Sequence, residues 1–203
     1  MEPLLNTERT LVMKKRIITI IAMLFLVAPV FAQTSSGNNK EKSVLASYYH
    51  GLGTIWGDSM DINGVSLGFY YDYYLTNSPI FLQTGAVSGF AHLDDYSAKF
   101  NNLYVGVPLG IGFGYEASEA VKLKPFFRIT VLVDSNKGEH KSDGSVIKNG
   151  SIGTIAPEFG ASAIVASKIA LSITYALYWG AAGTWETGRT AEHGLYFGIG
   201  YVF

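Results

Sequence analysis

Three groups of residues have types and spacings that could do chemistry. Glu139, His140 and Ser142 place an acid, an imidazole and a hydroxyl within one short stretch, the parts of an activated nucleophile for acyl transfer. Such a set works only where the backbone holds it rigid and supplies oxyanion donors. Here Lys141, Asp143 and Gly144 surround it in a charged loop, and no catalytic residue is assigned. His92, Asp94 and Asp95 could hold a divalent cation against external phosphates. Adjacent carboxylates rarely converge on one ion without further ligands, so a solvated loop is expected and no metal site. The third group is Arg128 with Glu158. If the polar stretch 135–150 is a hairpin centred near residue 143, these two stand directly opposite each other on neighbouring strands. Asp72 and Lys124 share the same polar periodicity, and the four together read as an ion network inside an enclosed space. Losing one partner would cost about 3–5 kcal/mol in a dry site, and about 0–1 kcal/mol where water reaches it.

The elements that carry these residues alternate with a period of two. From 103 to 115 every odd residue is large and apolar (Leu103, Val105, Val107, Leu109, Ile111, Phe113, Tyr115), and the even ones are mostly glycine. A two-residue period over this length is a strand with two unlike faces. The same holds for 121–134, 65–75, 169–179 and 195–203, and more weakly for 155–165. Residues 43–52 and 80–90 are strands whose facing the pattern leaves open. The count is eight. Gly110, Gly112 and Gly114 form a G-x-G-x-G run, but no helix follows, which excludes a nucleotide loop.

Connections alternate in length. Residues 76–79, 116–120 and 166–168 are tight turns, whereas 53–64, 92–102, 135–150 and 180–192 are longer and polar. At the front of the chain Lys14, Lys15 and Arg16 precede an apolar run, 17–30, that ends in Val30-Phe31-Ala32. This predicts a signal peptide over 13–32, with 1–12 an upstream extension and 33–203 a single exported domain. Removing Arg9, Lys14, Lys15 and Arg16 from the 15 basic residues, and Glu2 and Glu8 from the 16 acidic ones, leaves 11 and 14, a net charge near −3. That is no footprint for nucleic acid. There are no cysteines, hence neither disulfides nor thiolate metal sites. No cofactor is implied.

A period of two does not say which face is inside, and a secreted lipocalin-like barrel would enclose its apolar face. The polar face decides. A water-facing exterior carries many Lys, Glu and Asp, but this face is mostly Gly, Ala, Ser, Thr and Tyr, suited to a crowded lumen. Strands of about 10 residues or more span a hydrocarbon core when tilted. Aromatics such as Tyr71, Tyr73, Tyr115, Trp179, Tyr201 and Phe203 fall toward strand ends, as interfacial girdles do.

The ending, from Gly194 to Phe203, alternates aromatics and closes on Phe203. With the signal peptide and eight strands, the chain resembles the small OmpA/OmpX-like outer-membrane β-barrel domain (porin-like) proteins over nearly its whole mature length. The resemblance implies an all-β, eight-stranded antiparallel up-and-down transmembrane barrel in the bacterial outer membrane, with short periplasmic turns and long extracellular loops. It implies contact with outer-membrane lipid and lipopolysaccharide, and recognition of Tyr201 and Phe203 by the barrel-insertion machinery. Some such barrels modify lipid A, but a deacylase would want its His and Ser on a membrane-facing strand, unlike His140 and Ser142. The expected function is therefore a structural, surface-interaction or adhesion role through the loops. A narrow channel, a lipid A-modifying enzyme and a soluble ligand-binding barrel are the alternatives.

Overall fold

The computed structural model describes residues 39–55, 58–94, 98–183 and 189–203. The segment read as a signal peptide, the extension before it, and Asp95 lie outside the described residues. Nine strands follow in order: β1 (Lys40–Ile55), β2 (Asp58–Tyr74), β3 (Ile80–Asp94), β4 (Ala98–Phe113), β5 (Tyr115–Ser118), β6 (Val121–His140), β7 (Val146–Val165), β8 (Ile169–Gly183) and β9 (Arg189–Val202). Sequence neighbours pair antiparallel except β4 and β5, β1 pairs β9, and β4 pairs β6. The sheet therefore closes. The short β5 prolongs β4 past Gly114 and shares its partner β6, so the barrel has eight staves.

Closure removes every sheet edge and leaves two solvents to choose between for each face. The apolar faces point outward: Val105, Val107, Leu109 and Ile111 on β4, Val131 and Val133 on β6, and Leu171 and Ile173 on β8 are about half exposed. Leu103 to Phe113 covers about 25 Å once the strand is tilted, the height of a hydrocarbon belt. Rings flank it at both ends, Tyr73, Tyr115, Tyr201 and Phe203 toward the tight turns, Tyr48, Phe90 and Trp179 toward the other rim. The molecule is a transmembrane β-barrel. Strands β1 and β3, whose facing the sequence left open, turn Leu45, Tyr49, Phe81 and Gln83 inward and Tyr48, Leu52, Leu82 and Phe90 outward.

Among the described residues, much of the length of the far-end connections is continued strand. Residues expected as loop over 53–64, 92–102 and 135–150 carry much of the strand ladder, and β6 runs on to His140, about 18 Å beyond Val133 along the barrel axis. There the facing reverses. Ile62, Leu93 and Phe100 are fully buried neighbours in one ladder row, flanked by Gly51 and Gly138, while Asn63, His92, Asp94, Lys99 and Asn101 face outward. Above the belt the barrel is built like a water-soluble one.

Candidate functional site

Inside the membrane-spanning zone one ladder row places Glu41, Asp72, Gln83, Gly110, Arg128 and Glu158 side by side on six consecutive staves. All point into the lumen, because each lies on the face opposite the lipid-facing residues of its strand. Arg128 donates from Nε to Glu158 Oε2 at 2.6 Å, with Nη2 equally close. Thr130 donates to the other carboxylate oxygen at 2.5 Å. Arg128 also donates from Nη1 to Gln83 Oε1 at 3.2 Å, and the Gln83 amide donates to Asp72 Oδ1 at 2.8 Å.

Lys124, four residues before Arg128 on β6, donates to both Asp72 and Glu41. Asp72 and Glu41 are directly opposed across β1 and β2, a repulsive pairing unless a cation lies between them. Lys124 is that cation. Lys122 completes the chain by donating to Glu41 at 3.2 Å. Three cations thus meet three carboxylates, and the row is neutral overall. Aromatic rings pack the cations: the Arg128 guanidinium lies 4.6 Å from the Tyr70 ring centre and 4.8 Å from that of Phe126, and Lys124 lies 4.6 Å from that of Phe81.

Gly110 sits between Gln83 and Arg128, and their hydrogen bond passes over it. A Cβ there would lie 2.5 Å from Arg128 Cβ and 2.6 Å from the Phe127 carbonyl oxygen, so only glycine lets the row close.

A second group lies higher in the lumen. Asp134 accepts from Thr154 Oγ1 at 2.5 Å and from Asn102 Nδ2 at 3.3 Å. Tyr196 exchanges hydrogen bonds with the hydroxyls of Tyr104 and Tyr178, and its ring stacks 4.5 Å from that of Tyr49. Two voids of about 30 and 20 Å³ remain in the lumen, the larger between these groups and the smaller beside the charged row, each with room for a water or two. Leu45, Phe126 and Arg128 line both and stand between them.

The other sequence candidates fall elsewhere. His140 ends β6 and Ser142 lies in the turn that follows, both exposed, while Glu139 is occupied by Lys99 at 3.6 Å and Lys137 at 3.7 Å. His92 and Asp94 are not in a loop but on the outer face of β3: His92 Nδ1 bonds Asn101 Oδ1 at 3.0 Å, and Asp94 meets Lys141 at 2.5 Å. His50, on β1, bonds Asn63 at 2.9 Å. Among the described residues no cluster of metal-ligating side chains forms. Tyr201 and Phe203 pack edge to face at 5.1 Å, and the Phe203 amide donates to the Lys42 carbonyl, tying the C-terminus into the barrel seam.

Sequence reasoning missed Glu41, Lys122, Gln83 and Thr130. Glu41 precedes 43–52, the first strand that the sequence pattern marks, whereas β1 begins at Lys40. Gln83 was not legible, because the residues that alternate with it, Leu82, Thr84, Ala86 and Ser88, are too mixed to mark a lipid-facing side.

No family model matches the sequence, and no curated protein matches it. Solved structures do. The chain is similar to Ail, the attachment invasion locus protein of Yersinia pestis, at 17% identity and a TM-score of 0.50, covering 81% of this chain and 99% of that one. Neisserial surface protein A is similar at 14% identity and 0.47, covering 79% and 95%. The N-terminal β-barrel domain of Pseudomonas aeruginosa OprF is similar at 14% and 0.46, covering 79% and 97%. At these identities the likeness shows the fold.

Proposed function

We propose that this chain, which has the fold of the small OmpA/OmpX-like outer-membrane barrels, is a non-conducting barrel that carries a rigid collar of hairpins above the membrane as an interaction surface. The observation that carries the reading is the reversal of facing above the belt. A loop needed only to close a hairpin would not have its own apolar core of Ile62, Leu93 and Phe100 and an outer lattice of Asp94, Lys99 and Glu139. Ordered cross-strand charges on a projecting sheet make a surface of fixed shape, which lowers the entropic cost of engaging a partner.

The lumen supports the non-conducting half of the reading. An eight-stranded barrel has just enough interior for side chains, and here a neutral, fully bonded row lies below an apolar plug. Tyr201 and Phe203 are proposed as the residues that the insertion machinery reads during assembly.

The test uses full-length chain in two settings. In planar bilayers no unitary conductance is expected. On cells, replacing residues 137–147 by a two-residue turn should abolish attachment to whatever surface the unaltered chain confers, with the amount of folded barrel unchanged. Discrete conductance steps, or attachment that survives the shortened hairpin, would remove the proposal.

A further inference from the structure

One lumen carboxylate stands apart from the neutral row. Glu41, Asp72 and Glu158 each meet a lysine or arginine, whereas among the described residues Asp134 meets none. Asp134 is 3% exposed, and both of its hydrogen bonds come from neutral donors, Thr154 Oγ1 and Asn102 Nδ2. A buried carboxylate held only by neutral groups keeps a charge that nothing beside it offsets.

Three consecutive staves build its surroundings at one height. Asp134 is on β6, and Asn102 on β4 and Thr154 on β7 are its diagonal neighbours. Outside, this height is marked by His50, Asn63, His92, Asn101 and Lys137, successive partners across β1, β2, β3, β4 and β6. They form the first polar row above the lipid-facing Tyr48, Val65 and Phe90. Inside, Phe100 lies two residues above Asn102 and Leu132 two below Asp134, both buried. An occupant of so closed a place must be small.

Asn102 carries a second, independent sign. Its Oδ1 is buried and accepts no hydrogen bond, although its Nδ2 is engaged with Asp134. Turning the amide over does not help, because an oxygen would then face the carboxylate, acceptor against acceptor. The Thr154 hydrogen is committed to Asp134, which leaves the lone pairs of Oγ1 open. The three side chains thus present only oxygen, with one negative charge among them. Oxygen ligands suit hard cations, and one carboxylate matches one positive charge. We propose that Asp134, Asn102 and Thr154 bind a monovalent metal cation where the spanning zone meets the collar. The ion neutralises Asp134 and gives the Asn102 oxygen its partner, so the upper lumen becomes as neutral as the row below.

The experiment is urea unfolding of the folded full chain in detergent at neutral pH, with sodium chloride exchanged for choline chloride at constant ionic strength. Sodium is the probe, and choline is too bulky for the site. A ligand that binds only the folded state raises stability with its concentration. The urea midpoint should climb with sodium and level off, as filling of a site requires. The isosteric Asp134→Asn should give one midpoint in both salts. Thr154→Val should move the half-effect to several-fold higher sodium. Side-chain carboxyl carbon resonances report the state of Asp134, whose signal is the one lost in Asp134→Asn. That signal should be a carboxylate's in sodium and should shift on exchange into choline. A midpoint indifferent to the exchange, a sodium response that survives in Asp134→Asn, or a neutral carboxyl signal in sodium would each overturn the proposal. The last would mean that a proton, not a metal ion, neutralises the site. The conductance and attachment tests do not depend on these results, so the two readings fail separately.

Discussion

Across the row from His50 to Lys137 the barrel exchanges one set of rules for another. Below it the outside is apolar and the inside holds three cations and three carboxylates in a continuous chain of hydrogen bonds. Above it the inside holds Ile62, Leu93 and Phe100 and the outside is charged. The same eight strands pass through both zones without a break, so neither pattern is a property of the strand. Each face takes the composition that its solvent permits. Lipid excludes unpaired charge from the outer wall of the belt, and water on the collar's outer wall leaves the collar interior to the hydrophobic effect.

The contrast is sharpest in what one substitution should do. Arg128→Met leaves the Glu158 carboxylate and the Gln83 carbonyl without their partner in a buried row, and is expected to cost about 3–5 kcal/mol. Adding Glu158→Gln should recover most of that, because a neutral row no longer needs the cation. Urea unfolding in lipid vesicles measures both. A single-variant cost under about 1 kcal/mol, the value for solvated pairs, would mean that water reaches the lumen and that the two zones are less different than their packing suggests.

In the collar the corresponding deletion removes bulk instead of charge. Leu93→Ala is expected to cost about 2–3 kcal/mol, the low end for leucine truncation, because Gly51 and Gly138 at the two ends of the Ile62–Leu93–Phe100 row leave the sheet free to close in. The loss should appear as faster amide exchange along 91–101 with the belt unaffected. If belt amides accelerate equally, the collar and the spanning zone unfold as one unit and the division drawn here is only compositional.

These zones explain what could be read from the sequence. The spanning strands announce themselves because one solvent acts over ten or more residues, which is long enough for Leu103 to Phe113 to show a single phase. The opposition of Arg128 and Glu158 follows from the hairpin's symmetry about residue 143, and it is the observed register. The collar escaped because its phase is opposite. Met60 and Ile62 sit on even positions and Val65, Leu67 and Phe69 on odd ones, so a window that spans Gly64 sums two patterns that cancel and reads as a polar loop. Asp72 and Lys124 were legible as lumen residues, but Glu41 was not: a carboxylate placed opposite another carboxylate makes sense only once Lys124 is seen reaching in from a third strand.

The two ends of the staves differ in a further way. At the tight-turn end Ala166 and Ser167 both hold positive φ, 50° and 58°, in a turn closed by the Lys168 amide on the Val165 carbonyl. Neither residue favours that region, which asparagine and glycine occupy readily. Ala166→Asn/Ser167→Gly is expected to stabilise the barrel by about 1–2 kcal/mol, read in the same urea titration. No gain would mean that the strain is relieved by contacts the backbone angles do not reveal.

At the collar tip the turn is instead well matched, and the effect of altering it should be the smallest. Gly144 supplies the positive φ of 69°, its amide donates to the His140 carbonyl, and Asp143 Oδ1 accepts from the Ser145 amide at 2.9 Å. The side-chain and backbone bonds from Ser145 hold the Asp143 carboxyl below its ordinary value of 3.8. A depressed carboxyl contributes its bond in full above that ordinary value and loses it as pH falls through the lower, folded one. Protection of the Ser145 amide against exchange should therefore be flat above about pH 4 and fall below it, and Asp143→Ala should remove the protection at every pH. Because the residue is fully exposed, neither change should move the unfolding of the belt. A tip substitution that did so would show the collar to be mechanically continuous with the membrane zone, and would undo the comparison from its outermost residue inward.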